Sequence, residues 1–281
     1  MSAVREGQSV AAFFDIDGTL VPRPSLERRL FAELRYRRVL PARNYFLWLM
    51  RAVRLVPQGL EMIRHANKMY LRGVRVSEIE ESSAEGRAAR QAPPRTAMPA
   101  LLFREGVERV AWHAAQGHAI VLVSGTLAPL ARNVAVMVVL QLALGGLGGS
   151  IEICSTELEE IAGKWTGQIV GEALFGEAKG RAVRRFAREH GTDLRGCFAY
   201  GDCLSDRWML EAVGRPVAVN PSQGLHRMAR KRDWPILWWR DELRSTESLL
   251  RRQKAQETAD SQRYEPLPKG AGRAASRENL G

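Results

Sequence analysis

Short apolar runs at residues 10–14, 119–123, 151–154, 197–200 and 216–219 alternate with helical patterns over 128–144, 179–190 and 205–212. A strand buried on both faces reads as a continuous apolar run, whereas a helix repeats its apolar residues every three to four positions. Parallel strands need long crossovers, and helices supply them. The alternation therefore predicts an α/β fold with a Rossmann-like parallel-sheet core. The chain's 281 residues, 45% hydrophobic and 26% charged, are enough to bury such a core.

Residues 24–109 break the alternation, with helical spacing over 26–36, 45–55 and 59–70. That stretch is too long for a loop between two strands and reads as an inserted helical domain able to cover the active end of the sheet. The expected division is a catalytic core from residues 1–23 and 110–247, a helical cap over 24–109, and a disordered tail over 248–281, where apolar residues are too few to fold. Residues 157–172 read as a hairpin around Ala162-Gly163.

A net charge of +11 favours anionic partners without choosing among them. No zinc-finger spacing or aromatic RNA-binding signature accompanies the arginines, so nucleic-acid binding is not expected, and peripheral membrane contact is not predicted. Cys154, Cys197 and Cys203 match neither a disulfide framework nor a metal knuckle, and residues 1–10 lack an apolar leader, which predicts a cytoplasmic location. The uncharged stretch near residues 133–151 is interrupted by Gln141 and a glycine cluster and reads as a buried helix rather than a membrane span. Trp234, Trp238 and Trp239 are expected to cover a core edge, with an interfacial anchor or partner surface as the competing reading. The five histidines form no spaced metal cluster.

Four segments carry chemistry. Phe13-Phe14-Asp15-Ile16-Asp17-Gly18-Thr19-Leu20 sets two carboxylates on one side of an extended strand end. Two such acids are costly to ionise together without a cation or a shared proton, and magnesium suits hard oxygen ligands and phosphate chemistry. Asp15 is placed to attack phosphorus, and Asp17 to protonate the leaving alkoxide and later activate water. Ser124-Gly125-Thr126, where a strand is expected to enter a helix, offers a hydroxyl and backbone donors as a phosphate seat. Lys179, in Gly176-Glu177-Ala178-Lys179-Gly180, supplies an ammonium for the attacking carboxylate and phosphoryl oxygens. Gly201-Asp202-Cys203-Leu204-Ser205-Asp206 provides a second strand-end acid pair, with Asp202 as a direct metal ligand and Asp206 orienting a bound water or Lys179.

In that order the segments resemble the haloacid dehalogenase superfamily of phosphatases, in the branch that includes phosphoserine phosphatase, over residues 11–239. The resemblance implies a Rossmann-like core with a helical cap of the C1 type between the first and second motifs. It implies phosphorylation of Asp15, acid–base work by Asp17, and Mg2+ held by the Asp15 carboxylate, the Asp17 backbone carbonyl and Asp202. Ser124 and Lys179 would hold the phosphoryl group of a small phosphorylated metabolite, with Gly125 and Thr126 beside them and Asp206 supporting the metal. Phosphoserine phosphatases typically carry a glutamate nine residues after the nucleophile; here Pro24 stands there, Glu27 is out of register, and Ser205 replaces an asparagine in the last motif. Phosphoserine stays among the candidate substrates, and the arginine-rich insert suggests a second anionic group, a carboxylate or another phosphate, on the substrate.

Two other classes compete. A non-catalytic regulatory protein on the same fold would be marked by loss of Asp15, Asp17 or Lys179, and none is lost. A membrane or nucleic-acid interaction protein rests on basic charge and apolar stretches alone.

Overall fold

The computed structural model describes residues 9–80, 102–240 and 242–243. The chain opens with β1 (Ala11–Phe14) and continues through α1 (Leu26–Tyr36), α2 (Ala42–Leu55), α3 (Leu60–Ala66) and α4 (Ser77–Glu80). It then runs through β2 (Leu102–Phe103), α5 (Arg104–Ala115), β3 (Ala119–Leu127), α6 (Ala128–Leu144), β4 (Ile151–Thr156), β5 (Leu158–Ile161) and β6 (Lys164–Ile169). Last come α7 (Glu177–His190), β7 (Phe198–Gly201), α8 (Arg207–Leu210), β8 (Arg215–Val219), α9 (Gln223–Lys231), β9 (Ile236–Leu237) and β10 (Glu242–Leu243).

Six strands form one sheet in the order β4-β3-β1-β7-β8-β9, and every neighbouring pair is parallel. Alternate residues of the central strands enter opposite layers. Ala12, Phe14, Ile120 and Leu122 join Val107 and Val110 of α5 and Leu130, Val134 and Val138 of α6. Ala11, Phe13, Val121 and Val123 meet Ala182, Val183 and Phe186 of α7 and Leu225 of α9. This three-layer arrangement is why the strands are apolar on both faces. Order reverses between β1 and β7, leaving a crevice at their C-terminal ends, the usual ligand position in an open α/β sheet.

Helices α1 to α4 lie between the first two strands of the chain and form the helical cap. Ser25 caps α1, its hydroxyl accepting from the Arg28 amide at 3.4 Å, and Leu26, Leu30 and Leu34 supply the buried stripe. The expected helix over 59–70 is instead α3 followed, after Asn67 and Lys68, by a 3-10 turn at Met69–Leu71. Asn67 is extended there, and its side-chain amide donates to the Trp48 carbonyl at 2.8 Å, a partner a continuing helix would forgo. The helix expected over 205–212 is likewise a 3-10 turn at Leu204–Asp206 followed by the four-residue α8. Helix α5 runs through position 109, where the cap boundary was expected.

β5 and β6 form the expected antiparallel hairpin, with positive φ at both Ala162 and Gly163, as a type I′ turn requires. Its second strand also bonds to the cap segment after the 3-10 turn: Gly73 donates to the Trp165 carbonyl at 2.7 Å, Trp165 to Val74 at 3.0 Å and Val76 to Gly163 at 3.0 Å. Helix α6 ends at Gly145, and among the described residues no helix is long and apolar enough to cross a membrane. Trp239 is buried and Trp238 is exposed, so only part of the tryptophan cluster covers the core. The expected tail, residues 248–281, lies outside the described residues.

Candidate active site

Strands β1 and β7 deliver the acids. Phe14 pairs with Tyr200, and the Asp15 amide continues the ladder to the Tyr200 carbonyl at 2.9 Å, so Asp15 and Asp202 leave adjacent strands at the same edge. Lys179, in the first turn of α7, donates to Asp15 Oδ1 and Asp206 Oδ1, each at 2.6 Å. All three side chains are at most 4% exposed. The other oxygen of Asp206 accepts from the Asp202 and Cys203 amides at 3.0 Å each, folding the loop back on itself. Asp206 thus holds both Lys179 and the Asp202 backbone.

Two glycines make this closeness possible. A Cβ on Gly18, whose φ is +90°, would lie 2.1 Å from Asp202 Oδ2, and one on Gly201 would lie 2.6 Å from the Asp206 Cβ. Only a residue without a side chain lets the Asp17-Gly18 backbone and the Asp202 carboxylate approach one another.

Asp17 is half-buried, and its Oδ1 accepts from the Leu26 amide at 2.7 Å, which ties the acid to the first turn of the cap. Burial pushes its carboxyl up to about 6, against the pull of the Leu26 hydrogen bond. Burial also raises Asp202 to about 6, with Asp206 adding to the rise and Arg23 opposing it. Asp15 is held well above the ordinary carboxylate range by burial, which outweighs Lys179. For Asp206 burial acts in the same sense, but the charge and hydrogen bond of Lys179 prevail and its carboxyl is lowered. Burial disfavours the Lys179 ammonium, yet Asp15 and Asp206 overcome it and keep the lysine protonated.

Ser124, Gly125 and Thr126 lie at the same sheet edge, since Phe14 is opposite Leu122. These residues stand just before the strand–helix junction, where the sequence pattern put them. β3 runs on to Leu127, and α6 starts at Ala128, so the seat is a strand end rather than a helix's first turn. Between Val123 and Leu127 the register with β4 shifts, which releases residues 124–126 from regular pairing. Ser124 is buried, and the equally buried Thr126 hydroxyl has no partner among the described residues.

Several residues had escaped notice. Arg23 bonds Asp202 Oδ2 through Nε at 3.2 Å and a terminal nitrogen at 2.5 Å, while its side chain stays 66% exposed at the mouth. Thr156 donates to the Gly125 carbonyl and accepts from the Leu174 amide, fixing the seat to the loop before Lys179. From the cap, the His65 ring stacks on Phe175 at 4.7 Å between centroids, beside Gly125. Buried Lys68 bonds both oxygens of Glu27 at 2.6 Å, and the Tyr70 hydroxyl joins them at 2.6 Å. These contacts span tens of residues in sequence and leave no spacing signal.

The donor set fits a hard divalent cation. Four carboxylates, Asp15, Asp17, Asp202 and Asp206, face two cations, Lys179 and Arg23, and the glycine cradle brings the Asp202 oxygens against the β1 loop. Asp202, Cys203 and Asp206 also gather within 4.8 Å, but both Asp206 oxygens are engaged and a thiol is a soft ligand, so that trio suits Mg2+ less well.

A parallel sheet with an acid at the ends of two adjacent central strands, a buried lysine between them and a helical cap above defines a hydrolase architecture. The chain belongs to the haloacid dehalogenase-like hydrolases, whose family model matches residues 12–211, and within them it is phosphoserine-phosphatase-like, a phosphoric monoester hydrolase. It is 30% identical over 237 residues to a probable phosphatase of Mycobacterium tuberculosis, covering 81% of this chain and 74% of that protein. It is 31% identical over 238 residues to a phosphoserine phosphatase of the same organism, covering 81% and 70%. A solved structure of a Bordetella pertussis protein of unknown function superposes with a TM-score of 0.60 at 25% identity, covering 82% of this chain and 99% of that one.

Proposed function

We propose that the protein is a Mg2+-dependent phosphatase that hydrolyses a small phosphomonoester through an aspartyl-phosphate on Asp15. The observation that carries this reading is the buried Asp15–Lys179–Asp206 arrangement beside Asp202, which orients one carboxylate and sets an ammonium against it. The Asp15 carboxylate, the Asp17 backbone carbonyl and Asp202 would hold the cation. When bound it would offset the charge of the acids and of the phosphoryl oxygens.

Asp15 attacks phosphorus and the ester bond breaks, its oxygen taking a proton from the Asp17 carboxyl. Asp17, now ionised, removes a proton from the water that cleaves the aspartyl-phosphate, and inorganic phosphate leaves. A carboxyl titrating near 6 serves both steps around neutrality. Ser124 and Thr126 offer hydroxyl donors to the phosphoryl oxygens, and Lys179 holds their charge.

The cap, over about residues 24–109, selects the leaving group, with residues 1–23 and 110–247 as the core. Phosphoserine enters as a candidate through the relative's name. The cap carboxylate that could meet its ammonium, Glu27, is already held by Lys68 and Tyr70, which favours a leaving group without a positive charge. Three free cysteines support a reducing, cytoplasmic setting.

The test is hydrolysis of p-nitrophenyl phosphate with Mg2+ or EDTA by the native protein and by Asp15→Asn. Activity that needs Mg2+ and disappears in a folded Asp15→Asn protein is expected. Full activity of that variant would refute Asp15 as nucleophile.

A further inference from the structure

Helix α2 wears its apolar side outward. Tyr45, Phe46, Leu49, Met50 and Val53 recur at helical spacing on its exposed face, with Phe46 62%, Leu49 54% and Val53 58% accessible. The stripe continues past the helix through Val56 to Leu60, which is 74% accessible. A helix on a protein surface ordinarily turns polar residues to water and its apolar stripe to the core. Here the inward face is small and anchored by polar groups. Asn44 donates to the Tyr70 and Arg72 carbonyls at 2.9 and 2.7 Å, and the Trp48 carbonyl accepts from Asn67, with Ala52 and Leu55 buried beside them. These bonds fix the rotation of the helix, so the outward stripe follows from how α2 is held.

The charges along the stripe itself have one sign, with the acidic Glu61 following its last residue. From Leu34 to Leu60 the chain contains six arginines and no aspartate, glutamate or lysine. Arg43 and Arg54 run along an edge of the stripe on α2 and, among the described residues, have no carboxylate partner. An apolar stripe bordered by cations, with aromatic rings among its members, has the chemistry of a helix lying in the headgroup region of an anionic bilayer. A protein partner would need matching acidic residues around an apolar groove, whereas anionic headgroups over acyl chains supply both in one surface. We infer that the outward face of α2 docks this enzyme on anionic lipid membranes, with Phe46, Leu49 and Val53 entering the interface and Arg43 and Arg54 meeting lipid phosphates. The inference is independent of the substrate and goes beyond the hydrolytic reading.

The test is flotation of the full-length protein with vesicles of phosphatidylcholine alone or containing about 30% phosphatidylglycerol, at low salt and at about 0.5 M salt. Recovery with the anionic vesicles should exceed that with the neutral ones by about tenfold or more and fall in high salt. Leu49→Asp with Val53→Asp should abolish it, and Arg43→Gln and Arg54→Gln should each lower affinity by roughly fivefold. Hydrolysis of soluble p-nitrophenyl phosphate should be unchanged in all of these, which also reports that the variants fold. Equal recovery on both vesicle types, or binding indifferent to the substitutions, would overturn the inference. So would a concentration-dependent dimer that Leu49→Asp dissolves, since the stripe would then be covered by a second copy of the chain.

Discussion

Replacing Lys179 by methionine removes the one cation buried among the catalytic acids while keeping most of its aliphatic stem. Its ammonium touches Asp15 and Asp206 at 2.6 Å, and none of the three side chains is more than 4% exposed. Breaking a buried pair on one side leaves an uncompensated charge worth about 3–5 kcal/mol. Against a total stability of about 5–15 kcal/mol, the variant should stay folded with a large penalty. The penalty should depend on pH in a definite sense. Without the lysine both carboxyls titrate higher in the folded protein than in the unfolded chain, so the native state binds more protons between those values. Stability of the variant therefore rises as pH falls from about 7.5 to about 5, by about 1.4 kcal/mol for every tenfold by which folding strengthens a carboxyl's hold on its proton. Urea denaturation of native and Lys179→Met protein at both pH values, with EDTA present, reads the effect directly. A penalty below about 1 kcal/mol at pH 7.5, or one that does not shrink on acidification, would refute the buried triad as described. Catalysis should fall by about a hundredfold or more, since in the proposed reaction the same ammonium holds the charge of the phosphoryl oxygens.

Gly18→Ala should weaken Mg2+ binding and activity together, because its Cβ would collide with the Asp202 carboxylate. Isothermal titration with Mg2+ checks this, and native affinity in the variant would refute the cradle. O-phosphoserine and 3-phosphoglycerate differ in an ammonium against a hydroxyl, and kcat/KM should favour phosphoglycerate by roughly tenfold. Lys68→Met, by freeing Glu27, should move that ratio toward phosphoserine, and an unmoved ratio would exclude Glu27 from selection. Asp17 and Asp202 are raised to about 6 when folded, above their unfolded range, so the metal-free protein should gain thermal stability as pH falls from 7.5 toward 5. Mg2+ should stabilise it more at the higher pH, where the acids are ionised, and differential scanning fluorimetry at several pH values would expose the opposite trend.

The fold was readable because its signals are local. Helices over 26–36 and 128–144 appear at the boundaries their spacing predicts, and each expected strand appears within a few residues of its apolar run. The acids and the lysine were legible because strand ends and short motifs place them. What escaped depends on pairing at a distance. The Glu27–Lys68 lock joins residues 41 positions apart and Arg23 meets Asp202 across 179, and neither sequence segment shows that it has a partner. Ser124-Gly125-Thr126 was legible as the stretch between an apolar run ending at 123 and a helical pattern starting at 128, whereas the register shift that prolongs β3 depends on β4. The outward stripe of α2 was read as an ordinary helical pattern, since spacing reveals an apolar face but not which way it is turned.

The hairpin β5–β6 gives the cap a mechanical role. Its backbone is sewn to residues 73–76 of the cap by three hydrogen bonds, and the same chain continues through Phe175, stacked on His65, into the helix that carries Lys179. The cap is therefore no free flap on two linkers. From the cap, His65 of α3 meets Phe175 and residues 73–76 meet the hairpin, both on the stretch of chain that leads into Lys179. Cap and lysine are thus tied by one stretch of chain that runs from the hairpin through Phe175 into α7.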